Sequence, residues 1–278
     1  MLARRLPTIL PDLTFEEALE ITKIHSIAGL LKNGGIITER PFRSPHHTIT
    51  EVGLIGGGRI PKPGEISLAH YGVLFLDELL EFKKNTLEVL RAPIEDREVT
   101  ISRTGISLTY PSNFILIASA NPCPCGYYGS KEKECVCTET QRRIYSSKLS
   151  GPMLDRFDIQ IQVSGINYEK LVVKQEESSE TIKSRVNKAK KVQIERYKKE
   201  GFISNSELTS KYIEKYCKLD KESNETLKKY FDKLKLSARA YSKILKVART
   251  IADLDGSENI EQIHILEAIQ YRSLDRMI

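Results

Sequence analysis

Two adjacent carboxylates follow a short apolar run and form the pair of residues best placed for chemistry. The run Val73–Leu76 is typical of a strand buried on both faces of a parallel sheet, and it ends directly at Asp77 and Glu78. Ligands bind at the carboxyl edge of such sheets. There an aspartate can hold a magnesium ion bound to nucleotide phosphates, and a glutamate can deprotonate an attacking water. A core strand that ends in an ordinary acidic turn has the same pattern, so the neighbouring segments must decide.

Four of the five cysteines form two C-x-C pairs, Cys123 with Cys125 and Cys135 with Cys137. Four thiolates on two short turns are the ligand set of a tetrahedral Zn²⁺ site, although C-x₂-C is the commoner spacing. The alternative is a loop of reduced, unligated cysteines, since thiols stay reduced in the cytosol. We therefore predict a structural rather than a catalytic zinc site. Cys217 stands alone in a predicted helix and is predicted to be a small core residue.

The composition is that of an ordinary soluble protein, with 40% apolar and 29% charged residues. No segment reaches the roughly 18 apolar residues of a membrane span, and the N-terminus lacks the apolar core of a signal peptide. The expectation is a cytoplasmic protein without a membrane partner. The formal net charge is +6, and residues 181–200 hold eight Lys or Arg against two Glu. This predicted basic helix fits either a solvated helical face or a nucleic-acid contact.

The segments around the acidic strand predict an α/β fold. Residues 114–118 form a second continuous apolar run and predict another buried parallel strand. Residues 99–102 and 106–110 alternate in polarity and predict a β-hairpin, and a further strand is predicted over residues 157–163. Residues 38–64 are rich in Gly, Pro and basic side chains, which predicts a loop-rich insertion rather than packed core.

The composition changes near residue 165. All eleven prolines lie at or before Pro152, and only two glycines follow Gly165. Because proline and glycine end helices, the C-terminal third is predicted to be mostly helical. We therefore expect three regions: an α/β core with the basic insertion, the hairpin and the cysteine loop over 1–165, a basic helical linker over 166–200, and a helical domain over 201–278.

The order of these segments resembles that of AAA+ ATPases of the magnesium-chelatase-like group, most closely its ComM/YifB competence-related branch. The most specific matches are Pro63–Leu79 and Ala120–Gly126, followed by Gly151–Asp158 and by Leu236–Ala240. The resemblance covers nearly the whole chain. It implies an AAA+ P-loop-type parallel-sheet core followed by an all-α lid domain, and it makes the acidic strand a Walker B motif.

The resemblance also implies roles for single residues. Asp77 would support Mg²⁺ and Glu78 would activate water. Asn121 is similar to sensor 1, an amide that can hydrogen-bond the γ-phosphate and the attacking water without adding charge. Arg156 is similar to an arginine finger for the nucleotide of an adjacent subunit, and Arg239 to sensor 2 on the lid. For each arginine the alternative is a surface salt bridge.

One part of the family pattern is missing. Members carry a Gly-rich P-loop that ends in Lys-Ser/Thr, whose backbone amides and lysine cradle the phosphates. No G-x-x-x-x-G-K-[ST] occurs in the 278 residues. In the family, the segment that resembles Met1–Pro11 follows the P-loop directly. We therefore expect this chain to be the C-terminal part of a longer protein, to lack the first core strand, and to bind and hydrolyse ATP poorly on its own.

The resemblance implies a hexameric ring whose Mg²⁺-dependent ATP hydrolysis drives DNA translocation or branch migration in recombination or natural transformation. Arg43, Arg59 and Arg103 lie where related rings carry pore-facing insertions, and positive groups there can engage DNA phosphates. His46 and His47 are expected to make loop contacts rather than to bind metal. Two alternatives stay open: a magnesium-chelatase ATPase subunit for metal insertion into porphyrin, and a non-catalytic fragment with assembly and DNA-binding surfaces.

Overall fold

The computed structural model describes residues 2–31, 34–103, 105–130, 133–163 and 177–272. The chain divides into two compact units. The first consists of Met1–Thr8 and Asp12–Arg156, and the second of Ile9–Pro11 and Phe157–Ile278. Among the described residues, the first unit holds every strand and the second is helical.

A three-stranded parallel sheet forms the centre of the first unit. The strands of this unit are β1 (Phe42–Arg43), β2 (Gly56–Gly57), β3 (Lys62–Pro63), β4 (Val73–Leu76), β5 (Glu98–Arg103), β6 (Ile106–Pro111) and β7 (Ile115–Ala118). The central sheet has the order β1-β4-β7 with all neighbours parallel, and Leu76 of β4 pairs with Ala118 of β7. Val73, Leu74 and Leu76 are fully buried in the middle strand. The predicted acidic strand and its parallel neighbour are therefore confirmed.

Strand β1 corrects the prediction that residues 38–64 lie outside the packed core. Phe42 pairs with Val73 of β4, and the Val73 backbone N–H donates to the Pro41 carbonyl at 2.8 Å. Gly72 lies so close to Pro41 that an added Cβ would come within 2.0 Å of the same carbonyl oxygen. A two-residue strand has no hydrophobic periodicity of its own, so only its neighbour in the sheet reveals it.

Two antiparallel hairpins accompany the sheet. The predicted hairpin is confirmed as β5 and β6, in which Arg103 faces Ile106 across the turn. The shorter hairpin, β2 with β3, closes through glycines in the left-handed region, with φ of +151° at Gly57 and +104° at Gly58. Only glycine adopts such angles without strain, which explains the Gly-rich sequence at this turn.

Short helices complete the first unit. They are α1 (Phe15–Ile27), α2 (Glu51–Ile55), α3 (Glu65–Leu68), α4 (Lys84–Glu88), α5 (Arg91–Asp96), α6 (Glu139–Ser146) and α7 (Gly151–Leu154). Helix α1 begins with a capping box, in which the Thr14 hydroxyl accepts from the Glu17 backbone and the Glu17 carboxylate accepts from the Thr14 backbone. Within the described part of the chain, no helix is both long and apolar enough to cross a membrane.

The second unit is built around one long helix. Its helices are α8 (Ser179–Arg196), α9 (Ser210–Tyr216), α10 (Lys221–Leu234), α11 (Ala238–Asp255) and α12 (Gln262–Gln270). Ala240, Ile244, Ala248 and Ala252 recur every four residues along α11 and are buried. This spacing places them on one face, so the other helices pack against a single apolar stripe. The predicted helical C-terminal region is confirmed.

The strand predicted over residues 157–163 is wrong, because this segment contains no regular secondary structure. Its backbone groups pair with the end of α12 instead of with a sheet. The Gln160 N–H donates to the Tyr271 carbonyl at 2.7 Å, and the Arg272 guanidinium donates to the Phe157 carbonyl at 2.5 Å. The alternating apolar side chain of Ile161 consequently stays exposed.

A buried carboxylate joins three elements of the second unit. Asp253 accepts hydrogen bonds from Arg196 at 3.0 Å, from Arg249 at 3.0 Å and from the Asn205 amide at 2.9 Å. The Asp253 side chain is fully buried, so its charge depends on these donors for stabilisation.

Replacing Asp253 by Ala should lower the free energy of unfolding of the second unit by about 3–5 kcal/mol, because Arg249 would remain buried without its counter-ion. Urea denaturation followed by circular dichroism measures this loss. Glu195→Ala is the control, since Glu195 pairs with Lys198 on the surface and its loss should leave the midpoint unchanged. Equal midpoints for the two variants would contradict the prediction.

Candidate functional site

Asp77 and Ser119 meet at the carboxyl edge of the central sheet. They directly follow Leu76 and Ala118, the last paired residues of β4 and β7. The Ser119 hydroxyl donates a short hydrogen bond to the Asp77 carboxylate. The backbone closes around this contact, because the Ser119 carbonyl accepts from the Leu79 N–H at 2.7 Å. Asp77 is exposed, so an oriented carboxylate faces solvent where ligands of parallel sheets bind.

Glu78 leaves the strand in an unusual backbone conformation. Its φ of 53° and ψ of 50° place it in the left-handed region, which non-glycine residues adopt mainly where the surrounding structure requires it. Its backbone N–H points at the Ser119 hydroxyl, at 3.3 Å. The side chain is 54% exposed, and its carboxylate lies 3.7 Å from Nδ1 of His47. Glu78 therefore combines a fixed backbone with a carboxylate that water can reach.

Ser119 is a site residue that the sequence reasoning missed. Asn121, the amide assigned to sensor 1, lies two residues farther along the chain and is exposed. Among the described residues, the hydroxyl that contacts Asp77 is that of Ser119. The sequence contains the information that identifies Ser119, because Ser119 is the first polar residue after the second apolar run. The contact between Ser119 and Asp77 forms because β4 and β7 pair in a register that places Leu76 opposite Ala118.

The two arginines assigned by family resemblance belong to different units. Arg156 folds back onto its own unit, with an ion pair of 3.0 Å to Glu95 and hydrogen bonds to the carbonyls of Arg91 at 3.3 Å and Pro152 at 2.6 Å. Its side chain is only 7% exposed. Arg239 is exposed in the first turn of α11 in the second unit. Their roles at a nucleotide stay predictions.

The basic residues assigned to DNA differ in their surroundings. Arg43 forms a bidentate ion pair with Glu65, at 2.6 Å from both Nε and a terminal nitrogen, and this pairing raises the pKa of the Arg43 guanidinium. Arg59 is exposed between β2 and β3. Arg103 is the last residue of β5. The guanidinium of Arg43 is thus already engaged within the fold, whereas Arg59 lies at an exposed turn.

The adjacent histidines contact their own surroundings. His46 Nδ1 lies 2.9 Å from the Thr48 hydroxyl, and the two imidazole rings lie 4.1 Å apart. His47 reaches Glu78, as described above, and packs edge-on against Phe82. These are loop contacts of the kind predicted, and the one made by His47 brings it to the end of the acidic strand.

The four clustered cysteines converge on one point. The sulfur of Cys123 lies 3.4 Å from that of Cys125 and 3.7 Å from that of Cys135, and the last two are 3.6 Å apart. All four sulfurs, including that of Cys137, lie within 4.8 Å of one another. A tetrahedral zinc with Zn–S bonds of about 2.3 Å would place its sulfurs about 3.8 Å apart. The cluster therefore fits the ligand geometry of a Cys₄ zinc site.

Backbone groups support negative charge at this cluster. The Tyr128 N–H donates to the Cys123 sulfur at 3.3 Å. A hydrogen bond from the Tyr127 backbone lowers the pKa of the Cys125 thiol to about 6, whereas burial raises that of Cys137 to about 12. The backbone thus favours the thiolate form of Cys125, which is the form that binds metal.

Helix α6 links the cysteine cluster to the segment that follows the acidic strand. It starts at Glu139, two residues after Cys137, whose carbonyl accepts from Arg142 at 2.7 Å. The helix ends at Ser146, and two residues later Lys148 donates to the Leu80 carbonyl at 2.7 Å. Leu80 lies two residues after Glu78, so one short helix separates the metal-type cluster from the acidic strand end.

Comparison with protein families shows which family this chain belongs to. A profile for magnesium chelatase subunit ChlI matches residues 1–171, and a profile for the C-terminal part of that subunit matches residues 176–272. The chain belongs to the magnesium-chelatase-like family. The sheet-containing unit fits the α/β AAA+ core of that family and the helical C-terminal region fits a helical lid, so the predicted fold class is confirmed. Members of this family are generally oligomeric.

One of the relatives is a competence protein. The chain is 46% identical over 282 residues to YifB of Escherichia coli K12 and 43% identical over 280 residues to competence protein ComM of Haemophilus influenzae. Both comparisons cover all of this chain but 54% of the relative, so the chain spans about half their length. Chloroplastic magnesium-chelatase subunit ChlI of Glycine max is 25% identical over 221 residues, or 79% of this chain and 46% of that protein.

Membership of the magnesium-chelatase-like family implies ATP and Mg²⁺ as ligands. The residues at the sheet edge fit this pair, because Asp77 offers an exposed carboxylate of the type that Mg²⁺ binds, oriented by Ser119. Glu78 offers a second carboxylate within reach of water. The phosphate-binding P-loop motif does not occur in the 278 residues.

Proposed function

We propose that this chain provides the catalytic edge and the lid of an AAA+ ATPase that moves DNA, by translocation or branch migration, in recombination or natural transformation. The observation that carries the proposal is the Asp77–Ser119 contact beside an exposed Glu78, in a chain 43% identical to a competence protein. Because the sequence contains no P-loop motif, the isolated chain is proposed to turn over no ATP.

In this proposal each polar group at the edge has one task. Mg²⁺, when bound with ATP, neutralises charge that develops on the phosphates. Asp77 supplies a carboxylate for that ion, and Ser119 keeps the carboxylate in one orientation. Glu78 accepts the proton of the attacking water, for which its exposed carboxylate is suited. Asn121 is proposed to hydrogen-bond the γ-phosphate and that water.

The arginine roles require an assembly. We propose a hexameric ring in which Arg156 exchanges Glu95 for the phosphates of the neighbouring subunit's nucleotide. The exchange is chemically matched, because both partners offer paired oxygens to a planar guanidinium. Arg239 is proposed to bind nucleotide from the lid, so that lid position follows nucleotide state.

DNA is proposed to contact the two hairpins. Arg59 is exposed at the turn of one hairpin and Arg103 is the last residue of β5, before the turn of the other, and cations bind a phosphate backbone. Arg43 was assigned to the same task, and its bidentate pair with Glu65 makes it the weaker candidate of the three.

The double variant Arg59→Ala/Arg103→Ala should bind DNA about tenfold more weakly, with a salt slope smaller by about 2, because two phosphate contacts are lost. Fluorescence anisotropy of a labelled duplex across a salt series measures both quantities. Arg185→Ala is the comparison, since Arg185 lies on the basic helix α8 and pairs with Glu177. Loss of binding in Arg185→Ala alone would assign the contact to α8 instead.

Complete absence of DNA binding by the unmodified chain would contradict the proposal that it is part of an ATPase that moves DNA. It would favour the second candidate, an ATPase subunit for metal insertion into porphyrin, which the 25% identity to the Glycine max magnesium-chelatase subunit supports.

We further propose that the four-cysteine cluster holds a structural Zn²⁺ ion. Support comes from the sulfur separations and from a donor set of thiolates, which zinc prefers. Bound zinc would fix Cys137 and hence the start of α6, whose far end contacts the segment after Glu78 through Lys148. The ion would stabilise the catalytic edge without taking part in chemistry.

A further inference from the structure

The backbone of Glu78 is fixed, but its carboxylate lies at the end of a flexible side chain. The Glu78 N–H donates to the Asp77 carboxylate at 3.2 Å and to the Ser119 hydroxyl at 3.3 Å, and its carbonyl accepts from the Glu81 N–H at 2.8 Å. The side chain itself is 54% exposed, and a glutamate has several rotatable bonds beyond Cα. A general base acts only when its oxygen points at the proton it removes. Efficient catalysis therefore requires a group that orients this carboxylate.

His47 approaches the Glu78 carboxylate from a different segment of the chain. Its Nδ1 lies 3.7 Å from Glu78 Oε2. This separation exceeds that of a hydrogen bond, and a shift of about 0.8 Å would bring it to the usual length of about 2.9 Å. The contacts of a catalytic base are commonly long in the free enzyme and shorten when substrate binds. His47 is thus within reach of the carboxylate that the proposed reaction uses.

The imidazole of His47 is held in place by groups other than Glu78. It packs edge-on against Phe82, with ring centroids 6.4 Å apart, and Phe82 is buried. The ring of His46 lies 4.1 Å from it. The loop that carries both histidines is short, because it runs from the end of β1 to the start of α2, where the Thr50 hydroxyl caps the helix. His47 therefore offers a preorganised polar group to the mobile end of the Glu78 side chain.

We propose that His47 is a positioning residue for ATP hydrolysis, whose Nδ1–H holds the Glu78 carboxylate in the orientation that accepts the proton of the attacking water. The inference rests on the proposed function and deepens it. A carboxylate has two oxygens, so one can accept from His47 while the other faces the water. A neutral imidazole carries one N–H and is sufficient for this role. His47 need not touch the nucleotide.

The test uses this chain fused to the part of Escherichia coli YifB that it does not cover, because the chain alone contains no P-loop motif. His47→Leu removes the N–H and keeps an apolar side chain beside Phe82. It should lower kcat for ATP by about ten- to a hundredfold with little change in KM, because the base is misplaced while nucleotide binding is retained. His47→Asn should recover turnover to within about threefold of the unmodified protein, because its amide offers an N–H close to the Nδ1 position.

His46→Leu is the matched control for His47→Leu. His46 is the exposed neighbour in the same loop, and its Nδ1 lies 2.9 Å from the Thr48 hydroxyl instead of near Glu78. Its replacement should leave kcat and KM unchanged. Far-ultraviolet circular dichroism establishes that each variant keeps its fold.

A double-mutant cycle separates positioning of Glu78 from general support of the site. Adding His47→Leu to Glu78→Gln should cause no further loss of kcat, because a residue that acts through the base has no effect once the base is gone. Additive losses, a raised or unchanged turnover in His47→Leu, or no recovery in His47→Asn would each overturn the inference while leaving Glu78 as the base. If Glu78→Gln itself loses no turnover, the proposed base and this inference fail together.

Discussion

Replacing Glu78 by Gln should lower ATP turnover by about 10²–10⁴-fold and leave the KM for ATP nearly unchanged, because the amide keeps the shape of the side chain but cannot accept a proton. The isolated chain contains no P-loop motif, so the measurement uses a joined protein: this chain fused to the part of Escherichia coli YifB that it does not cover, a relative to which it is 46% identical over 54% of that protein's length. Steady-state phosphate release gives kcat and KM.

Glu81→Gln is the matched control for Glu78→Gln. Glu81 is an exposed glutamate three residues later, and its carboxylate lies 3.8 Å from Lys148, outside the strand end. Its replacement should change turnover by less than about twofold, as expected for a surface ion pair. If Glu78→Gln and Glu81→Gln retain the same turnover, Glu78 is not the base and the assignment of this edge is wrong.

The second large effect is expected at the cysteine cluster. The purified chain should contain one zinc per molecule, and Cys135→Ser should contain none, because three thiolates hold zinc far more weakly than four. Metal analysis by mass spectrometry gives the stoichiometry. Loss of the ion should also make residues 123–137 sensitive to proteolysis, since metal binding contributes directly to the folding of small metal-bound loops.

Cys217→Ala separates the cluster from the other cysteine. Cys217 is buried in the second unit, where burial raises the pKa of its thiol to about 11, and its replacement should leave the zinc content unchanged. A zinc-free protein in which the four clustered thiols titrate freely would contradict the metal site. Zinc that persists in Cys135→Ser would place the ion elsewhere.

Helix α6 connects the cysteine cluster to the end of the acidic strand, so the two predictions test different links of one structure. If α6 transmits order from the cluster to the acidic strand end, Cys135→Ser in the joined protein should also lower turnover, through Lys148 and Leu80. Unchanged turnover in a zinc-free variant would confine the ion to a role in local stability.

Much of the site was predictable from the sequence, because its signals are local. Four large apolar residues before Asp77 specify a buried parallel strand, and a second run before Ser119 specifies its neighbour. The C-x-C pairs predict convergent thiols, and alternation across a Gly turn predicts the β5–β6 hairpin. The motifs Pro63–Leu79 and Ala120–Gly126 were sufficient for the family.

Tertiary structure decided the features that depend on which segments become neighbours. The two-residue strand β1 has no periodicity and exists because β4 pairs with it. Ser119 reaches Asp77 only through the register of β7, and Arg156 finds Glu95 only because α5 lies beside α7. The segment 157–163 alternates like a strand, but the end of α12 takes its hydrogen bonds. Long-range pairing satisfies backbone groups and charges in ways that no local pattern encodes.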